Sequence, residues 1–179
     1  HLRQRAKSIR FLMDYKGTSF ALSKALEISR EEAQVYIDKY FEGFKGVAEW
    51  QRNQIAFGKK NGFTLTIANR KRHLTGIYSE QPKISGYYER IACNAPVQGS
   101  ASDVIAYAQL KIDNNSILKA LDCHMLLQIH DELVFDATAK YAHIVMELIR
   151  EDMENSFPSP LILPLPIGID FAGNYADAK

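Results

Sequence analysis

Residues 126–136 read Leu-Leu-Gln-Ile-His-Asp-Glu-Leu-Val-Phe-Asp, ionisable side chains set between two apolar runs. The runs are too short for helices and carry β-branched and aromatic members, so they fit the paired strands of a hairpin. That arrangement puts His130, Asp131 and Glu132 at an exposed tip. Water solvates such a triplet freely, so an ordinary acidic turn accounts for it. The same triplet also suits half of a divalent-metal site, because carboxylate oxygens are the hard ligands that Mg²⁺ takes. Taken alone, the tip does not choose between the two.

A second pattern stands at the start of the chain. Arg3, Lys7, Phe11 and Tyr15 recur every fourth residue in a stretch without Gly or Pro before Gly17. At about 100° per residue, a helix brings them onto one slowly drifting face. Leu2, Ala6, Ile9 and Met13 fall on the opposite face, the one expected to be buried. Two cations followed by two aromatic rings then point outward. Arg offers phosphate oxygens a planar fork and Lys a point charge. Rings further along the same face suit a sugar and a base, which stack on flat surfaces. A basic amphipathic surface helix or a transit peptide is the plain alternative. It leaves unexplained why the aromatics share the cationic face.

With these motifs the chain resembles the family A DNA polymerases, the bacterial DNA polymerase I type. Arg3, Lys7, Phe11 and Tyr15 are similar to the family's motif B, Arg-x-x-x-Lys-x-x-x-Phe-x-x-x-Tyr. His130, Asp131 and Glu132 are similar to its motif C, His-Asp-Glu. Between them, residues 89–103, Glu-Arg-Ile-Ala-Cys-Asn-Ala-Pro-Val-Gln-Gly-Ser-Ala-Ser-Asp, resemble its primer-template-binding helix. Gly173, Asn174 and Tyr175 resemble its C-terminal Gly-x-Asn-Trp ending. The likeness therefore runs the length of the chain, in order.

The resemblance implies an α+β fold. A mainly helical fingers subdomain would occupy 1–86, and 87–179 would form the C-terminal part of a palm with a small antiparallel sheet and packed helices. It implies nucleotide binding by Arg3, Lys7, Phe11 and Tyr15, with Lys7, Asp131 and Glu132 as the catalytic set. Asp131 is the metal ligand it implies; Glu132 would support the primer end or the metal shell, and His130 would meet the primer backbone. Two Mg²⁺ ions would serve the reaction, stabilising the attacking and leaving oxygens. The family's second metal-binding aspartate belongs to motif A, Asp-x-Ser-x-Ile-Glu, which this sequence lacks. The chain therefore reads as a fragment, expected to be inactive alone. The implied partners are primer-template DNA and deoxynucleoside triphosphates, with no membrane and a monomeric parent enzyme in a bacterial or phage-infected cytoplasm, or an organelle matrix.

Arg90, Asn94 and Gln98 repeat every fourth residue and so share a helix face. All carry donors able to reach the minor-groove acceptors, purine N3 and pyrimidine O2, which occupy similar places in every base pair. That suits an enzyme that binds any sequence yet senses the shape of the terminal pair. A basic run, with Arg70 and Arg72 in a hairpin expected over 63–74, is solvated surface by default; the resemblance implies DNA contact, since a comparable basic hairpin of the family lies near DNA phosphates. Pro96 should kink the helix expected over 84–114. Ser29-Arg30-Glu31-Glu32 is a capping-box pattern opening a helix, and Gly46 precedes the next. A helix over 139–155 and a last strand over 167–171 complete the expected elements.

Composition adds bounds. A chain of 179 residues, 46% hydrophobic, can bury a core, and a net charge of +1 excludes a wholly electrostatic DNA binder. Cys93 and Cys123 make no disulfide framework and have no metal-ligand spacing. Leu12 and Lys16 stand where the family has glycines that give the template room, and Asp14 replaces an apolar residue. Asp14 should repel a triphosphate unless Arg10 neutralises it across a helical turn. These departures keep a non-catalytic DNA-binding relic as a rival. A second is a phage-type single-subunit RNA polymerase, which shares the Arg, Lys and Tyr of motif B, although Phe11 and His-Asp-Glu favour the DNA enzyme.

Overall fold

The computed structural model describes residues 2–159 and 161–177, with the backbone alone for Leu2, Gln4, Arg5 and Ser8. Residues up to Ser100 form one compact unit and those from Ala101 another. This boundary falls within a helix.

The first unit opens with α1 (Leu2–Asp14), α2 (Ser19–Leu26), α3 (Arg30–Gly43) and α4 (Lys45–Asn61). The capping box at Ser29 is formed: its hydroxyl accepts from the Glu32 amide at 3.1 Å, and the Glu32 carboxylate accepts from the Ser29 amide at 3.0 Å. The break between α3 and α4 comes at Phe44 rather than Gly46, since the Phe44 amide still bonds to Tyr40 O. Gly62, at φ +75°, ends α4 in the left-handed region that glycine enters without penalty. Met13, Leu22, Leu26, Ala33 and Ile37 form the core that joins α1, α2 and α3. The stripe expected to bury α1 is only half realised. Met13 is 1% exposed and Ile9 half-buried, but Ala6 is exposed and the Leu2 side chain lies outside the described residues.

A hairpin follows, β1 (Phe63–Leu65) paired antiparallel with β2 (Lys71–His73), its tip turning through Asn69 at φ +60°. Helix α5 (Pro82–Asp113) then runs across Pro96 as one helix and on into the second unit. Pro96 has no N–H to give Ala92 O, four residues back. A side chain is placed to substitute: the fully buried Thr64 hydroxyl lies 3.5 Å from Ala92 O and 3.3 Å from Gln54 Oε1, its one hydrogen serving either. The hairpin tip is fastened to the same helix. Ile67 N donates to Ser100 Oγ at 2.8 Å and Arg70 Nη2 to Gly99 O at 3.1 Å. A side chain at residue 99 would put its Cβ 2.5 Å from Thr66 Cγ2, so Gly99 permits this approach.

In the second unit, the end of α5 is followed by α6 (Ser116–Ala120), the hairpin β3 (His124–Ile129) with β4 (Glu132–Asp136), a 3₁₀ turn (Ala139–Tyr141) and α7 (Ala142–Glu154). Ile112, Leu118, Val145 and Ile149 make its core, with Leu133 and Phe135 packed on from β4. The strand expected over 167–171 does not form. Among the described residues β3 and β4 pair only with each other, so that segment has no ladder to join. Instead Ile169 packs onto the core, and the Ile167 amide donates to Glu154 Oε1 at 3.1 Å. Among the described residues no helix is long and apolar enough to cross a membrane.

Asn115 has two roles in this unit. Its carbonyl oxygen caps α6 by accepting from the Ile117 and Leu118 amides, and its amide donates to the buried Asp152 carboxylate at 2.6 Å. Asn115→Ala removes the cap and strips the carboxylate of a donor, so it should destabilise this unit by about 2–4 kcal/mol. Denaturant unfolding of the variant and the parent chain measures the difference.

Candidate functional site

The outward face of α1 is built as its periodicity requires. Arg3, Lys7 and Phe11 are exposed, Phe11 at 51%, and Tyr15 is half-buried. The Phe11 and Tyr15 rings stack, centroids 5.8 Å apart and planes 30° from parallel. Phe11 is therefore no core residue. Beside it lies a cleft of about 520 Å³ lined by Phe11, Leu12, Tyr15, Gly17, Ala21 and Arg90. Cations at the start of the face and flat rings beside a cleft further on match the two ends of a nucleotide.

The last turn of α1 is held by polar groups that the sequence pattern does not disclose. Gln51, 5% exposed, donates from Nε2 to Met13 O at 3.0 Å and Asp14 O at 3.1 Å, satisfying carbonyls that a helix end leaves orphaned. The Tyr40 hydroxyl donates to Asp14 Oδ1 at 2.6 Å, and Arg10 Nε lies 3.6 Å from Asp14 Oδ2. Both carboxylate oxygens are thus engaged, and Asp14 is a partnered charge. Burial, with the Asp14 hydrogen bond next, pushes the Tyr40 phenol up to about 12. Lys16 closes the helix at φ +55°, with its amide bonded to Met13 O and the Gly17 amide to Leu12 O. Leu12 does not leave the room a glycine would. It packs against the α1–α3 core and lines the cleft.

On α5, Glu89 takes an ammonium on each oxygen: Lys16 Nζ on Oε2 and Lys59 Nζ on Oε1, both at 2.7 Å. The bond from Lys16, then that from Lys59, holds its carboxyl below the usual range. Arg90 follows, with its guanidinium 6.0 Å from the Tyr87 ring. Asn94 is half-buried, with a buried Oδ1 that has no hydrogen-bond partner among the described residues, and Gln98 is exposed. The basic hairpin divides its labour. Arg70 is engaged with Gly99 O, whereas Arg72 is exposed on β2.

In the second unit, His130, Asp131 and Glu132 are exposed at the β3–β4 tip. Ile129 pairs with Glu132, so His130 and Asp131 alone make the turn. His130 takes φ +56° there, a left-handed conformation that disfavours a residue with a Cβ by about 1–2 kcal/mol. Its carbonyl accepts from Gln128 Nε2 at 3.1 Å, which holds the turn. Asp131 sits in the turn and Glu132 opens β4, so strand alternation governs Glu132 only. At Leu126 the ladder carries a bulge, a device that re-aims side chains near a strand end. Asp131 offers hard, exposed oxygens of the kind Mg²⁺ binds while keeping several waters, so the donor chemistry fits such an ion in part. Among the described residues no three His, Cys, Asp or Glu side chains converge as a complete metal cage. Cys93 and Cys123 are free, and burial raises both thiols, which keeps them protonated and poor nucleophiles.

Comparison with known proteins follows the same lines. The sequence model described as DNA polymerase family A matches residues 1–177. The chain is 37% identical over 178 residues to DNA polymerase I of Caldicellulosiruptor bescii, covering 99% of this chain and 21% of that protein. It is 35% identical over 180 residues to DNA polymerase I of Bacillus subtilis, covering 99% and 20%. The chain thus spans about a fifth of the length of the curated relatives it matches. Among solved structures it is similar to the POL domain of Pol1 from M. smegmatis in complex with DNA primer-template and dNTP. That likeness has a TM-score of 0.85 at 36% identity, over 92% of this chain and 29% of the other.

The Tyr40–Asp14 bond carries a pH signature. A phenol whose pKa is raised on folding contributes stability that is fully present below the unfolded value, near 10. That stability fades as pH rises toward about 12. Tyr40→Phe should therefore be less stable than the parent chain at neutral pH and lose less stability between pH 10 and 12. Urea midpoints of both chains across that range check the sign.

Proposed function

The chain belongs to DNA polymerase family A, and from that premise we propose that it supplies the nucleotide-binding fingers and the motif C part of the palm in a DNA-directed DNA polymerase. The reading rests on one observation above all: the exposed Arg3, Lys7 and Phe11 face of α1, with the Phe11–Tyr15 stack beside a cleft that Arg90 also lines. Arg3 and Lys7 hold the triphosphate, and Phe11 lies under the sugar. Tyr15 stands by the base. Lys7 neutralises charge that builds on the phosphates as the primer 3′-oxygen attacks the α-phosphorus and pyrophosphate departs.

Arg90, Asn94 and Gln98 read the minor groove near the primer end, and His130 meets the primer backbone. Arg72 contacts phosphate, while Arg70 braces the hairpin that carries it. Asp131 would hold Mg²⁺, which would supply electrostatic stabilisation to the attacking and leaving oxygens. Glu132 supports that shell, and the second carboxylate comes from a segment outside these residues. Support for a further palm segment comes from β3, whose Leu126, Leu127 and Ile129 are exposed and which pairs only with β4 among the described residues. A strand with exposed apolar side chains and an edge that no described strand pairs is suited to being covered.

Two experiments on the intact polymerase decide the roles. Asp131→Asn should slow single-turnover primer extension by more than about tenfold, over 1.4 kcal/mol, with primer-template affinity nearly unchanged. A smaller loss removes Asp131 from the metal. Retained DNA binding in a parent enzyme that does not extend at all would identify a DNA-binding module without chemistry, the reading that Leu12 in the cleft wall favours.

Phe11 reports on the sugar. Its ring has no hydroxyl to replace the hydrogen bonding a missing 3′-OH would supply. The parent enzyme should therefore discriminate against dideoxynucleotides, and Phe11→Tyr should relax that discrimination. The measurement is the ratio of kcat/KM for deoxy and dideoxy substrates in both enzymes. An unchanged ratio in a folded variant takes Phe11 out of the nucleotide site.

A further inference from the structure

Lys16 occupies a position where a lysine is unfavourable. Its φ of +55° lies in the left-handed region, which disfavours any side chain with a Cβ by about 1–2 kcal/mol relative to the right-handed helix. Its ammonium is nevertheless committed, bonded at 2.7 Å to Glu89, 73 positions along the chain. The second oxygen of the same carboxylate is taken by Lys59, from the last turn of α4. The three side chains are partly screened from water, at 34%, 22% and 50% exposure for Lys16, Glu89 and Lys59. Three elements, the ends of α1 and α4 and the middle of α5, therefore meet at one carboxylate.

Sequence neighbours of Lys16 and Glu89 line the cleft. Residues 11, 12 and 15 line one wall from α1, and Arg90, the residue after Glu89, contributes from α5. With both oxygens of Glu89 held, the carboxylate is not free to turn onto the Arg90 guanidinium, which has no carboxylate partner among the described residues. Tyr15, Lys16 and Gly17 form the turn by which α1 ends, through bonds to Phe11 O, Met13 O and Leu12 O. Lys16 Nζ is thus tied to Glu89 from within the same turn that carries Tyr15.

We propose that Lys16, Glu89 and Lys59 form a clamp that ties the end of α1 to α5, sets the width of the cleft between the Phe11–Tyr15 wall and Arg90, and leaves Arg90 available to nucleic acid. Lys16 and Lys59 are positioning residues: they act on nucleotide entry through Glu89 and touch no reacting atom. The role in nucleotide entry rests on the reading of the cleft as the nucleotide site.

The test uses Lys16→Gly, Glu89→Gln and their combination, with Lys16→Arg as the conservative variant, in the intact polymerase. Glycine suits φ +55°, so Lys16→Gly removes the clamp arm while easing the backbone. Each single change should raise KM for the incoming nucleotide about threefold to tenfold with kcat within about twofold, and the double variant should match the singles because both break one clamp. Lys16→Arg should restore the parent KM. Independently of activity, hydrogen exchange should quicken at the Tyr15, Lys16 and Gly17 amides in Glu89→Gln, a change made far away in sequence. Unchanged exchange overturns the clamp. So does an unchanged KM, or singles whose effects multiply, in an enzyme that extends primers. A parent enzyme that does not extend primers overturns the polymerase reading instead, and the exchange result still judges the clamp.

Discussion

The end of α1 is the constraint on which the rest of the first unit depends. A helix leaves its last carbonyls without intrahelical donors, and burying them unpaired would cost about 1–3 kcal/mol each. Here the buried Gln51 amide serves two of them, Tyr40 engages Asp14, and the left-handed turn at Lys16 closes the remainder. The side-chain bonds come from α3 and α4, so the packing of three helices helps fix where α1 stops. They also free its opposite face. Because Met13 and the polar groups anchor the last turn, Phe11 and Tyr15 need not be buried to hold the helix in place. A stack of an exposed Phe11 on a half-buried Tyr15 is stable here because most of the burial is done by other residues.

Pro96 imposes the second constraint. Deleting one N–H from a long helix leaves Ala92 O with an unmet acceptor in a buried setting. A helix alone has no cure for this except a kink or water. The fold answers with a hairpin whose inner residue, Thr64, brings a hydroxyl within reach. Gly99 and Ser100, one turn beyond the proline, then receive the hairpin tip. The stretch of α5 bearing Arg90, Asn94 and Gln98 is therefore braced on both sides of the proline. A basic hairpin that looks like a pure electrostatic feature has a structural purpose as well. Arg70 and Arg72 part company for this reason: both are exposed, but Arg70 is bonded to the brace.

Local signals in the sequence are legible where the physics is local. The capping box at Ser29, the Gly62 stop, the β3–β4 hairpin with its charged tip and the outward cation–aromatic face of α1 all depend on residues a few positions apart. The expected buried stripe failed at Ala6 because periodicity states which side would face a neighbour, not where a neighbour exists. The strand expected over 167–171 failed because a strand is defined by its partner, which no single run of residues reports. Gln51, the Lys16–Glu89–Lys59 cluster and the Tyr40 bond to Asp14 were illegible for the same reason. Each joins residues dozens of positions apart, and no motif spacing encodes them. Asp14 illustrates the difference most clearly: read locally it is a charge opposed to phosphate, whereas in the fold both its oxygens already have partners.

The two carboxylate settings in this chain also differ in a way that bears on chemistry. Glu89 is half-buried between two ammonium groups, so its charge is spent internally and its geometry is fixed. Asp131 is exposed on a strained two-residue turn, with the backbone of His130 held left-handed and its carbonyl tied back by Gln128. Strain of this kind persists only where surrounding structure over-determines the conformation. The Leu126 bulge and the β3–β4 ladder provide that determination, so the turn can hold Asp131 outward without enclosing it. A carboxylate kept rigid in direction but solvated in place needs little reorganisation to accept a strongly hydrated cation. It cannot, by itself, exclude the water that weakens electrostatic stabilisation in the transition state. Preorganised direction comes from this hairpin; dry, low-dielectric surroundings do not, because the tip itself is exposed.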